Sequence, residues 1–125
     1  MLQSLSHAQA SRRSLAKGLA WTFPAVTIAA LAPHADRRAH FISTLVAVRH
    51  AADPEPLVAV GRWPGQVLTA PRGSQGFGYD PLMWIPDLDA TVAELAAEVK
   101  NRHSHRARSA ALLRQMLVDS WHLAG

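Results

Sequence analysis

Leu57-Val58-Ala59-Val60-Gly61-Arg62-Trp63-Pro64-Gly65-Gln66-Val67-Leu68-Thr69-Ala70 is the stretch on which the fold class turns. Its first half is rich in β-branched and apolar residues and reads as a strand. Pro64-Gly65 is a turn pair, so residues 66–70 are expected to return as a further strand. Upstream, Phe41-Ile42-Ser43-Thr44-Leu45-Val46-Ala47-Val48 has the composition of a strand buried on both faces. Between the two lies Asp53-Pro54-Glu55-Pro56, where two prolines fix φ and favour a turn. Strand, loop, strand, turn, strand is an antiparallel meander.

Working outward, Pro71 to Gly76 is a glycine-bearing loop, and Phe77 to Pro86 reads as a short strand with Leu82, Met83, Trp84 and Ile85 as its apolar part. Thr91 stands three residues before Glu94, the spacing of a capping box, and a helical piece is expected over 96–102. Ser104 is placed to cap a last helix, in which Ala110, Leu113, Leu117 and Trp121 recur at steps of three or four. In the other direction, residues 25–32 suit a short helical turn ending at Pro33, followed by the polar break Asp36-Arg37-Arg38. The expected fold is α/β, with a curved mixed or antiparallel sheet and a long C-terminal helix.

Composition bounds the chemistry. The chain has 125 residues, enough for one domain or part of one, and 49% are apolar, enough for a core. It has no cysteine, which rules out disulfides and zinc–thiolate sites; a reducing compartment such as the cytoplasm fits. The net charge of +4 suits phosphate-bearing ligands. No acidic residue precedes Asp36, whereas Arg12, Arg13 and Lys17 do. Basic residues followed by uncharged Gly18 to Ala32 have the outline of a signal peptide, but Pro24 interrupts the stretch and Pro33 would follow the cut. It is also shorter than the roughly 20 apolar residues of a membrane span, so no membrane partner is expected.

Two constellations carry candidate chemistry. Gly73, Gly76 and Gly78 surround Phe77 and Asp80; glycine allows close backbone approach to a ligand, the ring can stack on a purine, and the carboxylate can accept from a base N–H. The alternative is a tight entry into a buried strand, with Phe77 as core. Lys100-Asn101-Arg102-His103-Ser104-His105-Arg106 gathers cations where one helix ends and the next begins, a place suited to anions or to a solvated turn. His103 and His105 lack a third ligand for a metal. Nucleic acid is not the expected partner, because Trp63, Phe77 and Trp84 are not interleaved with a basic stripe.

Taken in order, Pro-Arg-Gly-x-x-Gly-Phe-Gly-Tyr-Asp-Pro from Pro71 to Pro81, Ala93-Glu94-Leu95, Lys100-Asn101 and Ser104-His105-Arg106 resemble the inosine triphosphate pyrophosphatase family, the non-canonical purine nucleoside triphosphate pyrophosphatases. The likeness continues upstream through Phe41 to His50, Asp53-Pro54, Pro56-Leu57 and Gly61-Arg62-Trp63-Pro64-Gly65, covering residues 35–117. It implies a house-cleaning hydrolase that converts ITP, dITP or XTP to the monophosphate and pyrophosphate. It also implies a two-lobed fold, Mg²⁺ as cofactor, a homodimer and a cytoplasmic location. The same resemblance assigns Phe77, Gly78, Tyr79, Asp80, Lys100, His105 and Arg106 to substrate binding. Cationic donors facing a 6-oxo group would favour inosine over adenine, since mispairing buried donors costs about 1–3 kcal/mol.

The chain also departs from the family. The Thr/Ser-x-Asn-x-x-Lys phosphate motif and the Asp-Asp-Ser-Gly element that supplies the general base and holds Mg²⁺ are absent from the sequence. No residue here is therefore assigned to catalysis or to metal. Ala107 stands where the family usually has glycine, His103 where isoleucine or valine is usual, and Asp89-Ala90-Thr91 where Gly-Lys-Thr is usual. The resemblance therefore implies the C-terminal half of a pyrophosphatase domain over 35–125. Residues 1–34 would be a leader from a truncated or frame-shifted reading frame. The alternative is a catalytically inactive nucleotide-binding fragment or interaction module.

Overall fold

The computed structural model describes residues 24–124. Helix α1 covers residues 24–31. It is followed by strands β1 (Arg38–Ala47), β2 (Leu57–Val67), β3 (Met83–Ile85) and β4 (Ala90–Thr91), then helices α2 (Ala97–His103) and α3 (His105–Trp121). Single 3₁₀ turns occupy Pro86–Leu88 and Val92–Glu94. The strands follow one another in the order β1-β2-β3-β4, with β2–β3 and β3–β4 antiparallel. The α/β class, the antiparallel sheet and the long C-terminal helix are as the sequence predicts.

The chain forms two compact units. One joins the described part of Met1–Arg37 to Gln66–Glu94; the other joins Arg38–Gly65 to the described part of Leu95–Gly125. In the first, Val67, Leu82, Met83, Ile85, Val92 and Ala93 are buried. In the second, Leu57, Ala59, Trp63 and Leu95 are.

The predicted turn at Pro64-Gly65 does not form. β2 runs straight through it, and its inward positions alternate without a break from Leu57 to Val67. The reason lies in the strand's partners. Val67 N–H points to β1, donating to Arg37 O at 2.9 Å, so the nitrogen of Pro64, three positions earlier, faces the other side. There β3 pairs only with Gln66 and Val67. The missing donor of Pro64 thus faces no ladder partner, the condition under which proline sits in a strand.

β1 is corrected as well. It is covered on one face only: Phe41 stacks on His105 of α3 at 5.1 Å between ring centroids, and Ser109 Oγ donates to Ser43 Oγ at 2.9 Å. On its other face Ile42 and Val46 are 53% and 59% exposed. The close approach of α3 to the sheet depends on Gly61, where a Cβ would strike the His105 carbonyl oxygen and the Ser109 nitrogen. Arg108 fastens the same contact, donating to Arg62 O at 2.7 Å and His103 O at 2.9 Å. The inner face of α3 accordingly centres on buried Ser109, with Leu113, Met116, Leu117 and Trp121 half-buried and Ala110 outside. Ser104 caps the helix as its position predicts, accepting from Ala107 N at 3.1 Å. Trp63 is 2% exposed and packs against Phe41, so no base can stack on it.

Candidate functional site

The strand expected from Phe77 to Pro86 is confined to Met83–Ile85; the residues before it are turns. Asp80 N donates to Phe77 O at 3.2 Å, and the amides of Leu82 and Met83 both reach Tyr79 O, at 2.9 and 3.1 Å. Gly73, Gly76 and Gly78 take φ of +90°, +77° and +62°, a region in which an L side chain is strained. At Gly76 the need is double. The Asp80 carboxylate occupies the space a Cβ would take, and its Oδ2 accepts the Phe77 N–H at 3.1 Å. Asp80 is 7% exposed, whereas Phe77 is 69% and Tyr79 39% exposed. The loop thus turns its carboxylate inward and presents its two rings.

The base of the loop is braced from β4. Thr91 Oγ1 donates to Arg72 O at 2.7 Å, Gln75 N to Ala93 O at 2.9 Å, and Ala93 N to Asp80 O at 3.1 Å. Gly73 lies so close to Ala93 that a Cβ would stand 2.7 Å from its carbonyl group. The Arg72 guanidinium sits over the Trp84 ring at 5.1 Å and pairs with Glu94 at 3.2 Å. Glu94 also accepts the Thr91 N–H at 2.9 Å, the bond the capping-box spacing predicts, although only a 3₁₀ turn follows. That bond, and next to it the charge of Arg72, hold the Glu94 carboxyl below its ordinary range.

Beside the loop lies a cavity of about 440 Å³ lined by Pro24, Pro71, Gly76, Phe77, Gly78 and Leu82, among others. Small-molecule sites run from roughly 300 to 1,000 Å³, so the space suits a heterocyclic base. Sequence reasoning overlooked Pro24 and Leu82 here. Neither belongs to a motif, and Pro24 is remote in the chain from the loop it faces.

The second constellation belongs to the other compact unit. Lys100 is half-buried on α2, and its carbonyl accepts from Ser104 N at 2.9 Å. His105 and Arg106 open α3, the imidazole half-buried on Phe41 and Arg106 exposed. Ala107 lies in the first turn of α3, where the Ser104 hydroxyl holds its amide, so the helix starts normally without the usual glycine.

The ordered motifs now have their counterparts in three dimensions. The Ham1 family profile matches residues 22–116, beginning thirteen residues before the likeness read from motifs alone. The chain belongs to the Ham1 family. It is 62% identical over 97 residues to a dITP/XTP pyrophosphatase of Leptothrix cholodnii, covering 78% of this chain and 46% of that protein. With the dITP/XTP pyrophosphatase of Pseudomonas aeruginosa it shares 56% over 85 residues, covering 68% and 43%. A HAM1 protein from Coxiella burnetii superposes with a TM-score of 0.74 at 34% identity, over 78% of this chain and 50% of that one. The dITP/XTP pyrophosphatase of Mycobacterium abscessus does so at 0.59 and 38% identity, over 72% and 47%. The chain therefore spans about half the length of the Ham1 relatives it matches.

Among the described residues no three His, Asp or Glu side chains are grouped so as to hold a metal ion. The Mg²⁺ implied by the family thus has no such group of ligands among the described residues. Nor is any helix among these residues long and apolar enough to cross a membrane.

Proposed function

We propose that this chain is the base-recognising part of a Ham1 pyrophosphatase, a hydrolase that splits ITP, dITP or XTP into the monophosphate and pyrophosphate. The observation that carries the reading is the exposed Phe77 ring at the cavity, on a loop held by the buried Asp80 carboxylate. The names of relatives up to 62% identical support the substrate class. In this reading Phe77 stacks on the purine, and Gly78 and Tyr79 shape the rim. Asp80 keeps the ring in place, and Lys100, His105 and Arg106 are assigned to substrate binding by the family resemblance alone. A cytoplasmic location, Mg²⁺ dependence and a homodimer belong to the same proposal.

A second reading is nucleotide binding without turnover, since these 125 residues hold no Asp-Asp-Ser-Gly element. One assay separates the two: release of pyrophosphate from ITP, XTP and ATP with Mg²⁺. Turnover of ITP with ATP spared supports the enzyme. Binding of ITP without turnover supports the second reading, and no preference for ITP over ATP in either measurement rejects both.

A further inference from the structure

Arg37 was read from the sequence as part of a polar break, yet its guanidinium is a three-way clamp. Nε donates to Val67 O at 2.6 Å, Nη1 to Leu31 O at 3.1 Å and Nη2 to Leu68 O at 3.1 Å. Leu31 is the last residue of α1, so the cation also sits where the helix dipole favours it. Arg37 closes the circuit with its own carbonyl, which accepts from Val67 N at 2.9 Å. A planar guanidinium with several fixed donors can bind three carbonyls together; an ammonium on a flexible stem cannot hold the same geometry.

The clamp reaches both walls of the cavity. Pro24, on one wall, begins the described part of α1, about two helical turns or roughly 10 Å from Leu31. On the other wall, Leu68 N donates to Leu82 O at 2.8 Å, and Leu82 N donates to Tyr79 O at 2.9 Å, at the foot of the glycine loop. Pro24 and Leu82 both line the cavity with Phe77. A change in how Arg37 holds Leu31 against Val67 and Leu68 therefore changes the gap into which a ligand must fit.

We infer that Arg37 is a positioning residue for ligand binding, setting the gap between α1 and the glycine loop without touching the ligand. The inference rests on the reading of that cavity as the base site. It also has a geometric consequence independent of any ligand.

The chain has no native cysteine, so spin labels on an Ala25→Cys, Ser74→Cys pair report the gap directly. With Arg37 in place the label distances should form one narrow population. In Arg37→Lys, which keeps the charge, they should broaden or lengthen while the melting curve stays cooperative; Arg37→Gln serves as the second variant. Inosine, which has no phosphate, should bind Arg37→Lys about tenfold more weakly, the loss of roughly one charge-assisted hydrogen bond, with tripolyphosphate binding unchanged. An unchanged distance distribution in folded Arg37→Lys overturns the inference, as does an altered distribution with unchanged inosine affinity. If labels respond but the unsubstituted chain binds no inosine, the base-site reading itself is overturned.

Discussion

Asp80 and Phe77 are joined side chain to backbone: the buried Asp80 carboxylate accepts the Phe77 N–H at 3.1 Å, and the ring of Phe77 is left exposed. The carboxylate therefore serves the loop before it can serve a ligand. Asp80→Ala should weaken ITP binding about tenfold and lower stability by about 1 kcal/mol, because the part-buried Phe77 N–H loses its acceptor. Asp80→Asn retains an acceptor oxygen and should recover much of both. Calorimetric titration and denaturant melts of the two variants check this, and equal losses would refute the latch.

Phe77→Ala should behave oppositely. The ring is largely exposed, so its removal should leave the melting temperature within a degree or two and reduce affinity for inosine and ITP alike. Arg106→Ala, also exposed, should reduce ITP binding with similarly little effect on stability. Unchanged affinity in both variants would remove the site assignment.

Gly76 and Gly78 both have positive φ but differ in surroundings. Gly78→Ala meets open space and should cost only the backbone strain, about 1–2 kcal/mol. Gly76→Ala adds a collision with the Asp80 carboxylate, so it should cost more and should release Phe77 as Asp80→Ala does. Denaturant melts give the order; a smaller loss at Gly76 than at Gly78 would contradict the packing described.

Gly61 lets α3 approach β2, with no room for a methyl group beside His105 and Ser109. Gly61→Ala should lower stability by about 1–3 kcal/mol, and more if the helix cannot shift. Loss of the Phe41–His105 ring contact, followed as a change in the His105 proton shifts by NMR, should accompany the fall in melting temperature.

Asp53 organises the loop between β1 and β2. Hydrogen bonding from the Arg49 side chain, then from the backbone N–H groups of Arg49 and Glu55, holds its carboxyl well below the usual range. A depressed pKa in the folded state means that the stabilisation is complete above the unfolded value, about 4, and is lost as pH falls toward the folded one. Asp53→Asn should therefore melt below the parent at pH 7, with the difference shrinking progressively below about pH 4. A difference independent of pH would show that the ionised carboxylate is not what matters.

Much of this was legible locally. Ser104 before a periodic apolar run marked the start of α3, and the spacing of Thr91 and Glu94 announced the bond between them. The glycines around Phe77 announced a loop needing positive φ. Pro64-Gly65 misled because its tolerance in β2 depends on where β3 ends, which no window of neighbouring residues contains. The apolar composition of β1 suggested two covered faces, but coverage belongs to what packs on a strand, and here α3 packs on one.

The Phe77-Gly78-Tyr79-Asp80 motif, with Lys100 and Ser104-His105-Arg106 behind it, was enough to indicate the family, because residue types at fixed intervals are a property of the chain alone. The sequence likewise determined the α/β class, the places of β1 and of the first half of β2, and that of α3. Only the tertiary structure decided that Asp80 turns inward, that Trp63 is core and that Arg37 ties Leu31 to Val67 and Leu68. The physical reason is the same in each case. A side chain's role follows from which distant backbone groups need a partner or exclude water, and only folding brings those groups into reach.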